Sequence, residues 1–407
     1  MARLVKSTFL SALKNLKSQV RRSSFSASYT VHKDYLQLVS AAGKKIEVDF
    51  LWLRDHCRCS QCYNAATSQR SLPFLSISEN IRPLSCDISS DFTNLIISWP
   101  DGHTSRYALN WLCGLLEPNL RFKKLNKLFD LRKLWEDGKN PTLPRIDYVD
   151  LVEKKEEASL KEAVLSLLEY GIASINKVPS TVEATQLVVE RIAPPQQTFF
   201  GGMWEFGTKI HNEVANHKDT AYTSDALDPH NDSTYFTEST GLQVFHCLER
   251  SKNCRGGATR LVDGMAAAEY LAQDDPNAFK ILSEVAIESE YKEPGKHHVG
   301  RQPVIVLDPI TQRVMQIRFN LYDRSAMCTL DSPKAFREYY LALRKLSNLM
   351  LSGRFEMQVE LNKGNVIIID NWRVLHGRTA FTGQRHMTGC YVARSEWLSR
   401  ARLLGLI

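Results

Sequence analysis

The sequence predicts a mainly β protein with flanking helices, in which a small N-terminal β-rich module precedes a larger domain. Two observations predict it. Early in the chain, "YLQLVS", "KIEVDFLWL", "NLIISWP" and "SRYALNWL" alternate apolar and polar positions with the period of two expected of strands. From Ile146 a helical stretch gives way to "STYF", "GLQVFHCL", "ATRLVDG", "PVIVLD", "VMQIRFNLYDR" and "GNVIIIDNWRVLHGR", again strand-like. A length of 407 residues with ordinary apolar and charged content suits one large domain plus a smaller one. No internal repeat of about 20 to 50 residues is visible, which argues against a solenoid.

Residues 1–28, "MARLVKSTFLSALKNLKSQVRRSSFSAS", carry Arg3, Lys6, Lys14, Lys17, Arg21 and Arg22 and no acid. The formal charge is +7, and subtracting these six leaves +1 for the rest, so no nucleic-acid surface is implied elsewhere. Leu4, Phe9, Leu10, Leu13 and Leu16 fall near helical spacing among basic and Ser residues, the composition of a mitochondrial transit peptide. A basic tail or a surface amphipathic helix is the bland alternative. No apolar run is long enough to span a bilayer, so no membrane role is expected.

The next segment, 29–115, concentrates cysteine. Nine cysteines, an odd number, do not suggest a secreted disulfide framework, yet Cys57, Cys59 and Cys62 crowd into "HCRCSQC". Thiolates this close repel one another unless a soft cation binds them, and tetrahedral zinc needs a fourth ligand. His103 in "WPDGH" is the first candidate, because the turn-like Pro100-Asp101-Gly102 lets a hairpin tip deliver the imidazole. Cys86, Cys113 and His56 compete, His56 poorly because it adjoins Cys57. Reduced, unligated thiols are the bland alternative. A closed four-ligand site is structural, and a module this small gains stability from a metal staple.

Residues 116–145 include "RFKKLNKLFDLRKLWEDGKNPTLP", basic and periodic before a Gly and Pro cluster, which reads as a helical connector and linker. The larger domain, 146–407, opens with apolar Leu160, Val164, Leu167 and Leu168 at helical spacing, with Gly171 as terminator before a short strand.

Chemistry enters with "DPHNDSTYF". His230 and Asp232 stand two residues apart, so in an extended strand their side chains share a face. With His376 they form a two-histidine, one-carboxylate set that leaves three octahedral positions open, which suits Fe(II) when an organic co-substrate and dioxygen share the ion. His-X-Asp alone is weak, since such residues recur as caps and surface groups. Arg385 adds weight: if "RHMTGCYVAR" returns as the next strand, its guanidinium can grip the distal carboxylate of 2-oxoglutarate bidentately. Thr259, in "GGATRLVDG", can add a hydroxyl. An ion pair or strand propensity explains each singly; their joint order favours a co-substrate pocket.

The order "CRCSQC", "WPDGH", "DTAYT", "HND", "GLQVFHCL", "GGATRLVDG", "DNWRVLHGR" and "ARLLGL" resembles the trimethyllysine and γ-butyrobetaine dioxygenase family over nearly everything after the presequence. The resemblance implies a double-stranded β-helix (jelly-roll) catalytic domain, an N-terminal zinc domain, Fe(II), 2-oxoglutarate, ascorbate support and a homodimer. It makes His230, Asp232 and His376 the iron ligands, sets Arg385 and Thr259 at the co-substrate, and makes Cys57, Cys59, Cys62 and His103 the zinc ligands. Some relatives lack the middle cysteine, so the need for Cys59 stays open. Trp204, Tyr222 and Tyr391 match an aromatic cage, and Phe200 falls where tyrosine is common. Such a cage suits a trimethylammonium group, which cannot donate a hydrogen bond and is held by cation–π attraction. Trp372 reads better as core packing.

Asp219, in "KDTAYT", with Asn320, in "RFNLYDR", would face the α-ammonium that trimethyllysine has and butyrobetaine lacks. The resemblance therefore implies 3-hydroxylation of trimethyllysine, with succinate and carbon dioxide as co-products, in the mitochondrial matrix as the first step of carnitine synthesis. The partners are then a small molecule and O2. The long polar stretch "GTKIHNEVANHK" departs from the family pattern and bears on the substrate lid. Two other readings stay open: a γ-butyrobetaine dioxygenase, and a non-catalytic zinc-stapled protein that binds methylated lysine.

Overall fold

Alternating residues become strands because each places every second side chain on one face, and here that face is buried. The structure, a computed structural model, describes residues 28–39, 43–207 and 223–407. The expected transit peptide, apart from Ser28, lies outside the described residues, as do Tyr222, Asp219 and all of the polar stretch but Gly207.

In the N-terminal unit, β1 (Ser28–Val31), β2 (Tyr35–Val39) and β3 (Lys45–Asp49) make an antiparallel sheet in that order. Leu36, Leu38, Ile46 and Val48 are its buried alternate residues. Asp49 caps α1 (Phe50–Asp55) by accepting from the Trp52 N–H, the role that favours Asp at an N-cap. A second antiparallel sheet contains β4 (Ser85–Ile88), β5 (Asn94–Ser98) and β6 (Thr104–Ala108), followed by α2 (Leu109–Leu116). Trp99, Tyr107 and Leu112 fill the core. The hairpin from β5 to β6 turns at Gly102, whose φ of 78° needs a residue without Cβ. Next comes α3 (Pro118–Asp130), and the boundary between the two compact units falls inside it, after Asn126.

In the second unit, β7 (Ile146–Asp147) precedes α4 (Glu157–Tyr170), which buries Leu160, Val164, Leu167 and Leu168. Gly171 ends the helix at φ 76°, the left-handed cap that glycine adopts without strain. After β8 (Ile172–Asn176) and α5 (Val182–Ile192) come β9 (Trp204–Gly207), β10 (Leu227–His230), β11 (Leu242–Arg250) and β12 (Thr259–Asp263). Helices α6 (Gly264–Asp274) and α7 (Pro276–Glu284), the hairpin β13 (Ile287–Glu293) and β14 (Lys296–Gln302), and α8 (Pro333–Leu351) follow. The chain closes with β15 (Glu356–Val359), β16 (Val366–Asp370), β17 (Val374–Arg378), β18 (Arg385–Val392) and α9 (Arg394–Leu403).

A six-stranded sheet has the order β9-β18-β11-β16-β8-β7, and a four-stranded sheet the order β10-β17-β12-β15. Phe245, Ile367, Ile369 and Met387 from the larger sheet pack with Leu261, Met357 and Val374 from the smaller, so the two form a jelly roll with a shared interior. The alternate residues Leu242, Val244, Val366 and Ile368 face the other way, onto Leu167, Val188 and Trp397 of α4, α5 and α9. Burial on both faces explains why "VIII", which precedes Asp370, is an unbroken apolar run. The smaller sheet is backed by α6, α7 and α8 through Val262, Leu282, Leu343 and Leu375.

A buried ion pair ties this scaffold together. Arg373 and Asp263 meet at 2.7 Å with side chains 1% and 0% exposed. Arg373 also donates to the carbonyls of Glu169 and Lys133, while Asp263 accepts from the N–H groups of Trp135, Met265 and Ala266. Every charge is thus hydrogen-bonded, the condition under which a dry ion pair is tolerated.

Candidate functional site

Strand pairing makes the first cluster. His230 at the end of β10 lies directly opposite His376 in β17, and their rings are 4.6 Å apart. Asp232 follows two residues later, with one carboxylate oxygen 3.2 Å from His230 Nε2 and 3.5 Å from His376 Nε2. Ligand bonds of about 2 Å at a right angle would separate donors by about 3 Å, so the three fit one facial set on a single ion. His230 Nδ1 donates to the Asp228 carbonyl at 2.8 Å, which fixes the tautomer that presents Nε2.

The electrostatics suit a cation. Burial opposes ionisation of Asp232, but His376, His230 and the Tyr391 hydroxyl overcome it and hold the carboxyl well below the usual carboxylate range. Burial pushes His376 down to about 4, leaving its imidazole neutral. Burial also works against a charged His230, yet its hydrogen bond to Asp232 and that anion's charge raise its pKa. An ionised carboxylate flanked by imidazoles is the donor set a divalent metal needs.

Around the triad lies a cavity of about 380 Å³ between the two sheets. Arg385 and Thr259 both line it, each 6% exposed. Arg385 Nη1 donates to the Gly257 carbonyl at 3.0 Å, and burial lowers its pKa from the usual guanidinium value. Arg385 and Tyr391 stand six residues apart on β18, so they occupy opposite ends of a span of about 20 Å.

Phe200, Trp204 and Tyr391 also line the cavity; the Trp204 ring lies 5.4 Å and the Phe200 ring 6.4 Å from that of Tyr391. Gly389, opposite Trp204, makes room for the indole: a Cβ there would come within 2.6 Å of the ring and 2.4 Å of the Val244 carbonyl. Asn320 lines the same space, its amide donating to Asp323 at 2.7 Å. Trp372 is not a lining residue; its indole N–H donates to the Ser239 carbonyl, and its ring stacks with Arg394.

The N-terminal unit holds the second cluster. Cys57, Cys59 and Cys62 place Sγ at 3.4, 3.6 and 3.6 Å from His103 Nε2. Tetrahedral bonds of about 2.3 Å to sulfur and about 2.0 Å to nitrogen would set these separations near 3.5 Å. The competing ligands are elsewhere: His56 bonds to the Trp52 carbonyl and Arg70, and Cys86 and Cys113 pack in the core. Arg54 donates to Cys62 Sγ at 3.3 Å, offsetting thiolate charge.

Comparison with known proteins decides the family. A model described as taurine catabolism dioxygenase TauD, TfdA family, matches residues 136–391, and one described as gamma-butyrobetaine hydroxylase-like, N-terminal, matches 28–113. Mitochondrial trimethyllysine dioxygenase of Gallus gallus is 40% identical over 389 residues, covering 94% of this chain and 89% of that protein. The chain belongs to the trimethyllysine and γ-butyrobetaine dioxygenase family. The Homo sapiens trimethyllysine dioxygenase is also 40% identical, over 94% of this chain and 88% of its own, and the γ-butyrobetaine dioxygenase of Pseudomonas sp. is 30% identical over 87% and 89%. A solved taurine dioxygenase from Burkholderia xenovorans matches at TM-score 0.46 with 14% identity, over 62% of this chain and 89% of that one.

This dioxygenase also has site residues that the sequence reading passed over. Arg378 lines the cavity directly opposite Thr259, giving a second buried guanidinium there. Its signal was present, two residues after His376 on the same strand face. Ser233 and Gln243 also line the cavity, and Ser233 Oγ and Gln243 Oε1 are buried with no hydrogen-bond partner among the described residues. Tyr291, on β13, extends the aromatic wall beside Phe200, and Glu290 and Asp323 add acids. Nothing local in the sequence distinguishes these from ordinary strand and turn residues.

Proposed function

We propose that this enzyme 3-hydroxylates N6,N6,N6-trimethyl-L-lysine, consuming 2-oxoglutarate and O2 and releasing succinate and carbon dioxide, as the first step of carnitine synthesis. The single observation that carries this reading is one cavity that combines a His-Asp-His set, buried arginines and an aromatic wall. The relatives named above for trimethyllysine, at 40% identity, support the same substrate.

His230, Asp232 and His376 would hold Fe(II), which supplies activation of dioxygen when bound. Arg385 and Thr259 would grip the distal carboxylate of 2-oxoglutarate, Arg385 through paired N–H donors. Trp204, Tyr391, Phe200 and Tyr222 would enclose the trimethylammonium group by cation–π attraction. Asp219 and Asn320 would receive the amino-acid end, so that the substrate is held at two points and C3 faces the metal. Ascorbate would keep the iron ferrous between turnovers.

The remaining assignments belong to the same reading. Residues 1–28 would act as a transit peptide directing the enzyme to the mitochondrial matrix, as the names of its vertebrate relatives support. Residues 29–115 would form a zinc domain, 116–145 a connector, and 146–407 the dioxygenase domain of a homodimer. Cys57, Cys59, Cys62 and His103 would hold a structural zinc, since four protein ligands leave no open position. His103→Ala is expected to reduce zinc, measured by metal analysis, from about one per chain to near none, and Cys59→Ala to lose less. Full zinc retention in His103→Ala would disprove the ligand assignment.

Trimethyllysine and γ-butyrobetaine separate the two nearest readings. Iron-loaded enzyme given 2-oxoglutarate and oxygen should yield succinate with 3-hydroxytrimethyllysine, while γ-butyrobetaine should be turned over at least about 10-fold less well. Asp219→Asn should narrow that ratio. A preference for γ-butyrobetaine by mass spectrometry would replace the proposed substrate and keep the chemistry; tight binding without succinate would favour the binding-protein alternative.

A further inference from the structure

We infer that Tyr391 serves the metal as well as the substrate: its ring is a wall of the aromatic box, and its hydroxyl is the donor that fixes the Asp232 carboxylate. This rests on the reading of His230, Asp232 and His376 as metal ligands. Tyr391 is then a positioning residue for the metal.

The two oxygens of Asp232 are divided. Oδ1 faces both imidazoles, and Oδ2 accepts the Tyr391 hydroxyl at 2.8 Å. A carboxylate whose second oxygen is unrestrained can rotate, or chelate through both oxygens and consume a position that the co-substrate or dioxygen needs. A hydrogen bond on Oδ2 holds the carboxylate plane and leaves Oδ1 as the single ligand atom, the usual work of a group that orients a metal ligand.

The main chain of Asp232 is held separately. Asn371, 1% exposed, accepts from the Asp232 N–H at 2.9 Å and donates to the Asp232 carbonyl at 3.1 Å. Ser233 then adopts φ 60°, a conformation that a non-glycine residue keeps only when its surroundings hold it there. With the backbone clamped on both sides, the freedom left to Asp232 is rotation of its own side chain, and the Tyr391 hydroxyl removes it. Among the described residues of the aromatic wall, Tyr391 is the one that hydrogen-bonds to Asp232. Phe200 has no hydroxyl, and the Trp204 indole N–H is buried without a partner among the described residues.

Titration of the full-length protein with Mn(II), without oxygen or co-substrate and followed by the electron paramagnetic resonance of free Mn(II), tests this. Tyr391→Phe is expected to weaken Mn(II) binding about 10- to 100-fold. With iron saturating, KM for trimethyllysine should change by less than about 3-fold, because the phenyl face remains. Trp204→Leu should do the reverse, raising KM and leaving Mn(II) affinity within about 2-fold, since it touches the cage and not Asp232. Unchanged Mn(II) affinity in Tyr391→Phe overturns the proposal. If that variant does not fold, a ring-fluorinated tyrosine at 391 changes hydroxyl acidity at nearly constant shape; a shifted Mn(II) affinity is expected, and none overturns it. Failure of the wild-type protein to bind Mn(II) at all would instead refute the underlying metal reading, and the proposal with it.

Discussion

His376→Ala should lower hydroxylation at least about 1,000-fold, a loss of about 4 kcal/mol of transition-state stabilisation. The substitution leaves His230 and Asp232, two donors where a facial set needs three, and opens space in a cavity whose walls are otherwise unchanged. His376 is 6% exposed and its ring packs 5.1 Å from that of Phe245, so some loss of stability accompanies the loss of metal. The decisive controls are zinc content, which should be unchanged because Cys57, Cys59, Cys62 and His103 belong to the other unit, and 2-oxoglutarate decarboxylation, which should vanish with hydroxylation. Retained product formation would remove His376 from the proposed iron site.

Arg373→Ala should be the most destabilising single change in the catalytic unit, at about 3–5 kcal/mol by urea denaturation. Removing the guanidinium leaves the Asp263 carboxylate at 0% exposure with only backbone N–H partners and an uncompensated charge, and it removes a donor from the Lys133 carbonyl and one of the donors to the Glu169 carbonyl, which keeps the Lys133 N–H. Replacing both partners with apolar residues should cost less than either single change, because no charge would remain to be buried alone. A loss below about 1 kcal/mol in Arg373→Ala would show that water reaches Asp263 and that the pair is not the anchor described.

Much of this was legible in sequence because local rules and the final environment agree. Gly171 stops a helix that its own apolar spacing defines, and "HCRCSQC" and "WPDGH" carry their chemistry on turns whose geometry is nearly local. His376 could be named but not positioned from periodicity: only the register of β10 against β17 brings it across from His230. Arg373 and Asp263 were invisible as a pair for the same reason, since a charged residue between apolar neighbours reads as a surface interruption until its partner is located. Tyr391 was assigned by its ring alone, and its second role depends on where one hydroxyl points.

The cross-strand pairing of His230 with His376 also bears on timing. His376 lies in the last tenth of the chain, and its strand must dock beside β10 before the two imidazoles can share an ion. A partly synthesised chain therefore carries, of these three donors, only the His-X-Asp pair, too poor a chelator to retain ferrous iron. In the metal reading proposed above, capture of the ion would be deferred until synthesis and docking of the C-terminal strands are finished, so an immature chain would be spared an oxygen-reactive centre that it could not yet shield.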